Sequence, residues 1–106
     1  MIEITRIKNE NGENMGFRCF GHAGFARRGK DIVCASVSAL VLNTINSIEA
    51  FTEDKFSCAQ EEKSGLIEFI IVSEVSKEAS LLMDALFLGL KQIEDDYGKR
   101  FITVKA

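Results

Sequence analysis

The chain has no proline and no tryptophan, and among its 106 residues there are one histidine, one tyrosine and three cysteines. Without proline, every tight turn must be made by Gly, Asn, Asp or Ser, which reach positive φ or bond their own backbone. Cys19, Cys34 and Cys58 are odd in number and form no CxxC pair, which argues against a disulfide framework. No uninterrupted apolar run approaches the roughly 18 residues that a membrane-spanning helix requires. The opening Met1-Ile2-Glu3-Ile4-Thr5-Arg6-Ile7-Lys8 alternates and lacks the apolar centre of a secretion signal. Net charge is −3 and the pI is about 5.2, the opposite of the basic footprint of a general nucleic-acid binder. Together these absences predict a cytoplasmic protein with no membrane segment and no direct nucleic-acid contact.

What is present is an ordinary globular balance, 46% hydrophobic and 27% charged, so the chain should fold rather than remain disordered. The length suits one domain over residues 1–106. Residues 2–8 read as a strand, Asn11-Gly12 as the turn of a hairpin, and 15–22 as its second strand. Residues 23–30 are a glycine-punctuated loop. A helix begins near Asp31, a favoured N-cap type, and its apolar stripe runs through Val37, Leu40, Val41, Thr44, Ile45, Ile48 and Phe51. Residues 55–61 read as a weaker strand, Lys63-Ser64-Gly65 as a turn and 66–72 as a strong strand. A second helix, capped by Ser73 or Ser76, ends near Tyr97 at Gly98, and 101–104 form a last strand. The order ββαββαβ predicts an α+β two-layer sandwich: a mostly antiparallel sheet with both helices on one face. The second helix is apolar almost all round from Leu81 to Leu90. One sheet face cannot bury such a helix, which predicts a homodimer.

The chemistry concentrates between residues 21 and 38. With Asp31 as N-cap, Cys34 lies in the first helical turn, where backbone N–H groups lack intrahelical partners and the helix dipole favours negative charge. Both would favour the Cys34 thiolate, and the same N–H groups could hold an oxyanion. His22, the only imidazole, is twelve residues upstream and could act as general base. Asp31 either orients His22 or simply caps the helix. Gly24 and Gly29 bracket the loop and suit a hinge, with Phe25 near its tip placed to meet substrate.

Other readings of these residues exist. Cys34 could be a buried core cysteine and His22 a surface residue. Arg27, Arg28 and Lys30 could be a solvated loop or contact RNA. Cys19, His22, Cys34 and Cys58 make up a Cys₃His set suited to zinc. On a regular strand, though, Cys19 and His22 would point to opposite faces. These readings correspond to a zinc protein or to a non-catalytic ribosome- or RNA-associated binding module.

Gly21-His22-Ala23, followed by Gly29-x-Asp31-Ile32-Val33-Cys34-Ala35-x-Val37-Ser38, resembles the ribosomal-processing cysteine protease family (Prp), and the resemblance extends over the whole chain. It implies a dimeric cytoplasmic endopeptidase that removes a short N-terminal extension from a large-subunit ribosomal protein. His22 and Cys34 match the family's catalytic histidine and cysteine, and Asp31 matches a position of less settled role. The reaction so implied requires no cofactor and no metal. Cys19 and Cys58 receive no role.

Overall fold

Seven elements follow one another in the computed structural model, which describes residues 1–105. They are β1 (Ile2–Lys8), β2 (Asn14–Phe20), α1 (Ile32–Phe51), β3 (Phe56–Glu61), β4 (Leu66–Ile71), α2 (Lys77–Tyr97) and β5 (Ile102–Lys105). The strands form one sheet in the order β3-β4-β2-β1-β5. Every neighbouring pair is antiparallel except β1 with β5, which run parallel. This is the α+β arrangement ββαββαβ that the sequence predicts.

Strand alternation sets the buried face. Ile2 and Ile4 of β1, Phe17 and Cys19 of β2, Phe69 and Ile71 of β4, and Ile102 of β5 all belong to one core with the helices. Helix α1 contributes Val33, Val37, Val41, Ile45 and Ile48, and α2 contributes Ala79, Met83, Leu86, Phe87 and Leu90. Phe17 stacks on Phe69 at 5.3 Å and meets Phe87 edge-on at 6.3 Å, tying the central strands to α2. Each such fully buried side chain stabilises the fold by about 1.5–3 kcal/mol.

The alternating residues on the opposite face, among them Arg18 and Glu68, are only partly covered. Strand β3 lies at the sheet edge with Ser57 through Glu61 exposed, which explains why its sequence pattern is weak: it has almost no buried face to encode.

Several expected strand ends shift by one or two residues. Strand β2 ends at Phe20 rather than at residue 22, because Gly21 has φ +97° and sends its N–H to the Ser64 carbonyl at 3.1 Å instead of along the strand. Of the two candidate caps, Ser76 is the one that caps α2, accepting from the Ala79 N–H at 3.0 Å. Ser73 instead accepts from the Lys55 N–H at 3.1 Å. Gly98 closes α2 with φ +104°.

Helix α1 departs from the sequence reading in one respect. Over its 20 residues it is long and apolar enough, by length and composition alone, to span a bilayer. Ser, Thr and Asn interrupt the apolar residues but leave the helix apolar on average. Its stripe from Val33 to Ile48 is nevertheless packed into the core.

Candidate active site

Asp31 builds the start of α1. Its Oδ1 accepts the N–H groups of Val33 and Cys34, each at 3.0 Å. Its Oδ2 accepts the N–H groups of Phe25 and Ala26 at 3.0 and 3.3 Å. One carboxylate thus caps the helix and folds the 21–31 loop back over it. Burial pushes against ionisation of this carboxyl, but the four N–H donors together hold it below the usual carboxylate range. Among the described residues Asp31 makes no hydrogen bond to His22; of the two roles considered for it, capping is the one the geometry displays.

Cys34 follows the cap, half-buried, with its Sγ 3.2 Å from the Ala23 N–H, which donates to it. His22, on the other side of the loop, has its Nε2 3.0 Å from the Lys63 carbonyl oxygen in the β3–β4 turn. Both side chains line one groove of about 310 Å³. Val37, Val41 and Ile67 supply apolar walls, and Gln60, Glu61 and Glu62 supply a polar rim. The groove lies between the start of α1 and the β3–β4 hairpin, so the structure brings the two sequence-selected residues to a common cleft.

The electrostatics differ from the sequence expectation. Burial pushes the Cys34 thiol above its ordinary value; the Ala23 N–H opposes this, while the Asp31 charge adds to it. Burial is the larger cause, and Asp31 adds to it by placing a negative charge beside the sulfur. The same carboxylate occupies the Val33 and Cys34 N–H groups, so these first-turn donors are not free to hold an oxyanion. The donor that does face the sulfur is the Ala23 N–H.

The loop residues have defined positions. Gly24 and Gly29 adopt φ +71° and +85° with open space where a Cβ would stand. The Phe25 ring meets Tyr97 and Phe101 edge-on at 5.5 and 5.1 Å, so it is seated on the protein's own aromatics. Arg28 pairs with Glu62, a residue of the groove rim.

Cys19 is buried at the groove's inner wall, its thiol pushed up to about 12 by burial. Cys58 is exposed on edge strand β3. Among the described residues no three His, Cys, Asp or Glu side chains are grouped to hold a metal ion.

Sequence reasoning missed the β3–β4 turn as part of the site. Lys63-Ser64-Gly65 was legible as a turn, but its contribution comes from backbone carbonyls, which leave no residue-type signal.

Comparison with known proteins agrees with this arrangement. The family model described as "Cysteine protease Prp" matches residues 1–102. A ribosomal processing cysteine protease Prp from Bacillus subtilis is 30% identical over 101 residues, covering 92% of this chain and 90% of that protein. Its counterpart from Staphylococcus aureus is 27% identical over 99 residues, covering 93% of each. The crystal structure of the S. aureus Prp with a covalently linked product peptide superposes with a TM-score of 0.91 at 27% identity, covering 99% of this chain and 98% of that one. A Streptococcus mutans protein superposes with a TM-score of 0.81 at 31% identity, covering 99% and 92%. With a cysteine and a histidine lining one cleft in this fold, and a match over nearly its full length, the chain belongs to the Prp family of cysteine proteases.

Proposed function

We propose that the protein is a cytoplasmic endopeptidase that removes a short N-terminal extension from a large-subunit ribosomal protein, with Cys34 as nucleophile and His22 as general base and acid. The observation that carries this reading is the shared cleft: the chain's only imidazole and a half-buried thiol at a helix start face the same groove. The S. aureus relative has been crystallised with a substrate peptide and with a covalently linked product peptide, which supports a peptide as the occupant here.

The mechanism starts from the thiol form of Cys34, which burial favours over the thiolate. His22 accepts the thiol proton as the sulfur attacks the scissile carbonyl, forming the C–S bond and an oxyanion. The imidazolium then returns the proton to the leaving amine as the C–N bond breaks. Water, deprotonated by His22, cleaves the thioester and regenerates the thiol. The first-turn N–H groups are committed to Asp31, so oxyanion stabilisation falls to donors that the 21–31 loop can present once substrate displaces its resting contacts.

That loop is the substrate-responsive segment of the proposal. Gly24 and Gly29 give it backbone freedom at both ends, and Phe25 with the exposed Arg28–Glu62 pair holds its resting position. The pair contributes little because both partners are solvated.

The protein is further proposed to act as a homodimer. Leu81 and Leu88 stand one heptad apart on α2, 68% and 76% exposed, a pattern that a second copy would cover.

Incubation with a synthetic peptide of the ribosomal-protein N-terminus, followed by mass spectrometry, tests the function. A single cut within the peptide supports it; an intact peptide under conditions where the protein is folded refutes it.

A further inference from the structure

We propose that the backbone carbonyl of Lys63 is the group that orients His22 for catalysis, the role for which the sequence offers Asp31. This rests on the assignment of His22 as general base.

A carbonyl oxygen only accepts hydrogen bonds, so the ring nitrogen facing it, Nε2 at 3.0 Å, carries the hydrogen. A neutral imidazole has one N–H, which leaves Nδ1 with the lone pair. Nδ1 is therefore the ring atom left able to take the Cys34 proton. When it does so, the ring becomes cationic, and the Nε2–H bond to Lys63 becomes charge-assisted and stronger. The carbonyl thus fixes the tautomer, sets the ring plane and stabilises the imidazolium, as the third member of a catalytic triad does.

Asp31 is committed elsewhere: its two oxygens take four backbone N–H groups, from Phe25, Ala26, Val33 and Cys34.

The β3–β4 turn is built to hold the carbonyl in place. The Gly21 N–H donates to the Ser64 carbonyl at 3.1 Å, so the residue before His22 is tied to the residue after Lys63. A Cβ on Gly65 would stand 2.3 Å from the Gly21 carbonyl oxygen and 2.8 Å from its carbon. The turn and the His22 backbone therefore touch main chain to main chain, and glycine at 65 is what permits that approach. Gly65 and Ser64 are positioning residues for His22.

The test substitutes Gly65→Ala, which drives the turn away from Gly21. Gly12→Ala serves as control, because Gly12 also has positive φ, +77°, but has nothing within 4 Å of its Cβ position. Peptide cleavage and the ¹⁵N signals of the His22 ring are measured in both. The proposal expects Gly65→Ala to lose at least about tenfold in kcat with KM little changed, together with loss of the Nε2-protonated ring signature. Gly12→Ala should keep both. A Gly65→Ala protein that keeps the ring signature, whatever its activity, overturns the proposal. Should Gly65→Ala fail to fold, the ring spectrum of the Cys34→Ala protein decides: hydrogen on Nε2 with Nδ1 bare supports it, and the reverse tautomer overturns it. Cleavage by Cys34→Ala would instead sink the proposed function, so the two failures are distinguishable.

Discussion

Asp31 holds the backbone N–H of Cys34 at 3.0 Å through Oδ1 while Oδ2 holds the loop at Phe25. One carboxylate thereby fixes the proposed nucleophile at its main chain and closes the loop beside it. Replacement by Ala frees four N–H groups and should lower stability by about 0.5–2 kcal/mol through the lost cap, or several degrees in Tm. Asp31→Asn keeps one acceptor oxygen for the Val33 and Cys34 N–H groups but turns an amide donor toward those of Phe25 and Ala26, so its stability should fall between wild type and Asp31→Ala, with cleavage largely preserved. Thermal melts and peptide cleavage of both variants check this. A dead but fully stable Asp31→Asn would show that the charge of Asp31 acts in the chemistry.

The raised Cys34 value has a kinetic consequence. Thiolate is the alkylating form, so resting enzyme should react with iodoacetamide near neutral pH more slowly than a free cysteine does. Its rate should climb through the ordinary thiol range and beyond before levelling. Modification rates at Cys34, followed by peptide mapping from pH 6 to 10, test this; a plateau already reached near neutrality would contradict it.

Glu94 carries the pH dependence of stability that the fold makes visible. Its side chain is buried, bonded to Lys91, and it accepts the Val104 N–H at 2.7 Å, tying α2 to β5. The Lys91 ammonium first, then the Val104 N–H, hold its carboxyl below the usual range. A carboxyl depressed on folding stabilises above its unfolded value, and that contribution is lost as pH falls through the folded value. Glu94→Gln should therefore be less stable than wild type at neutral pH, and the gap should shrink as pH drops below the ordinary carboxylate range. Denaturant melts at several pH values provide the comparison. A gap independent of pH would remove the electrostatic explanation.

Dimerisation through the outer face of α2 should be sensitive to charge. Leu81→Lys with Leu88→Lys places two ammonium groups on a face that is already exposed in the single chain, so folding of the protomer should survive. Light scattering is expected to show a dimer for the wild type and a monomer for the double variant. A monomeric wild type at micromolar concentration would end the proposal.

Most of the scaffold was legible because its signals are local. Asp31 sits before an apolar stripe, Ser76 three residues before Ala79, and Gly98 after Tyr97, and each functions as cap or stop. Asn11-Gly12 marks the hairpin, with Gly12 at φ +77°. His22 and Cys34 stood out in the sequence as a candidate pair, and both line the groove.

What was not legible depends on partners distant in the chain. Asn14 reads as a turn residue, yet it is buried and donates to the Ser80 carbonyl and Asp84 on α2. Glu94 is a charged residue within a helix, yet it is buried and its partner Val104 lies on β5. The raised Cys34 value runs against the helix-end expectation first because the thiol is partly buried and then because the cap is itself an anion, and neither is visible from residue types in sequence. The Lys63 carbonyl carries no side-chain signal at all.

The most direct measurement is cleavage of the full ribosomal-protein precursor by matched, equally folded wild-type and Cys34→Ala proteins. The wild type is expected to shorten the precursor at its N-terminal extension and Cys34→Ala to leave it intact. Shortening by Cys34→Ala at a rate comparable to wild type would contradict that expectation.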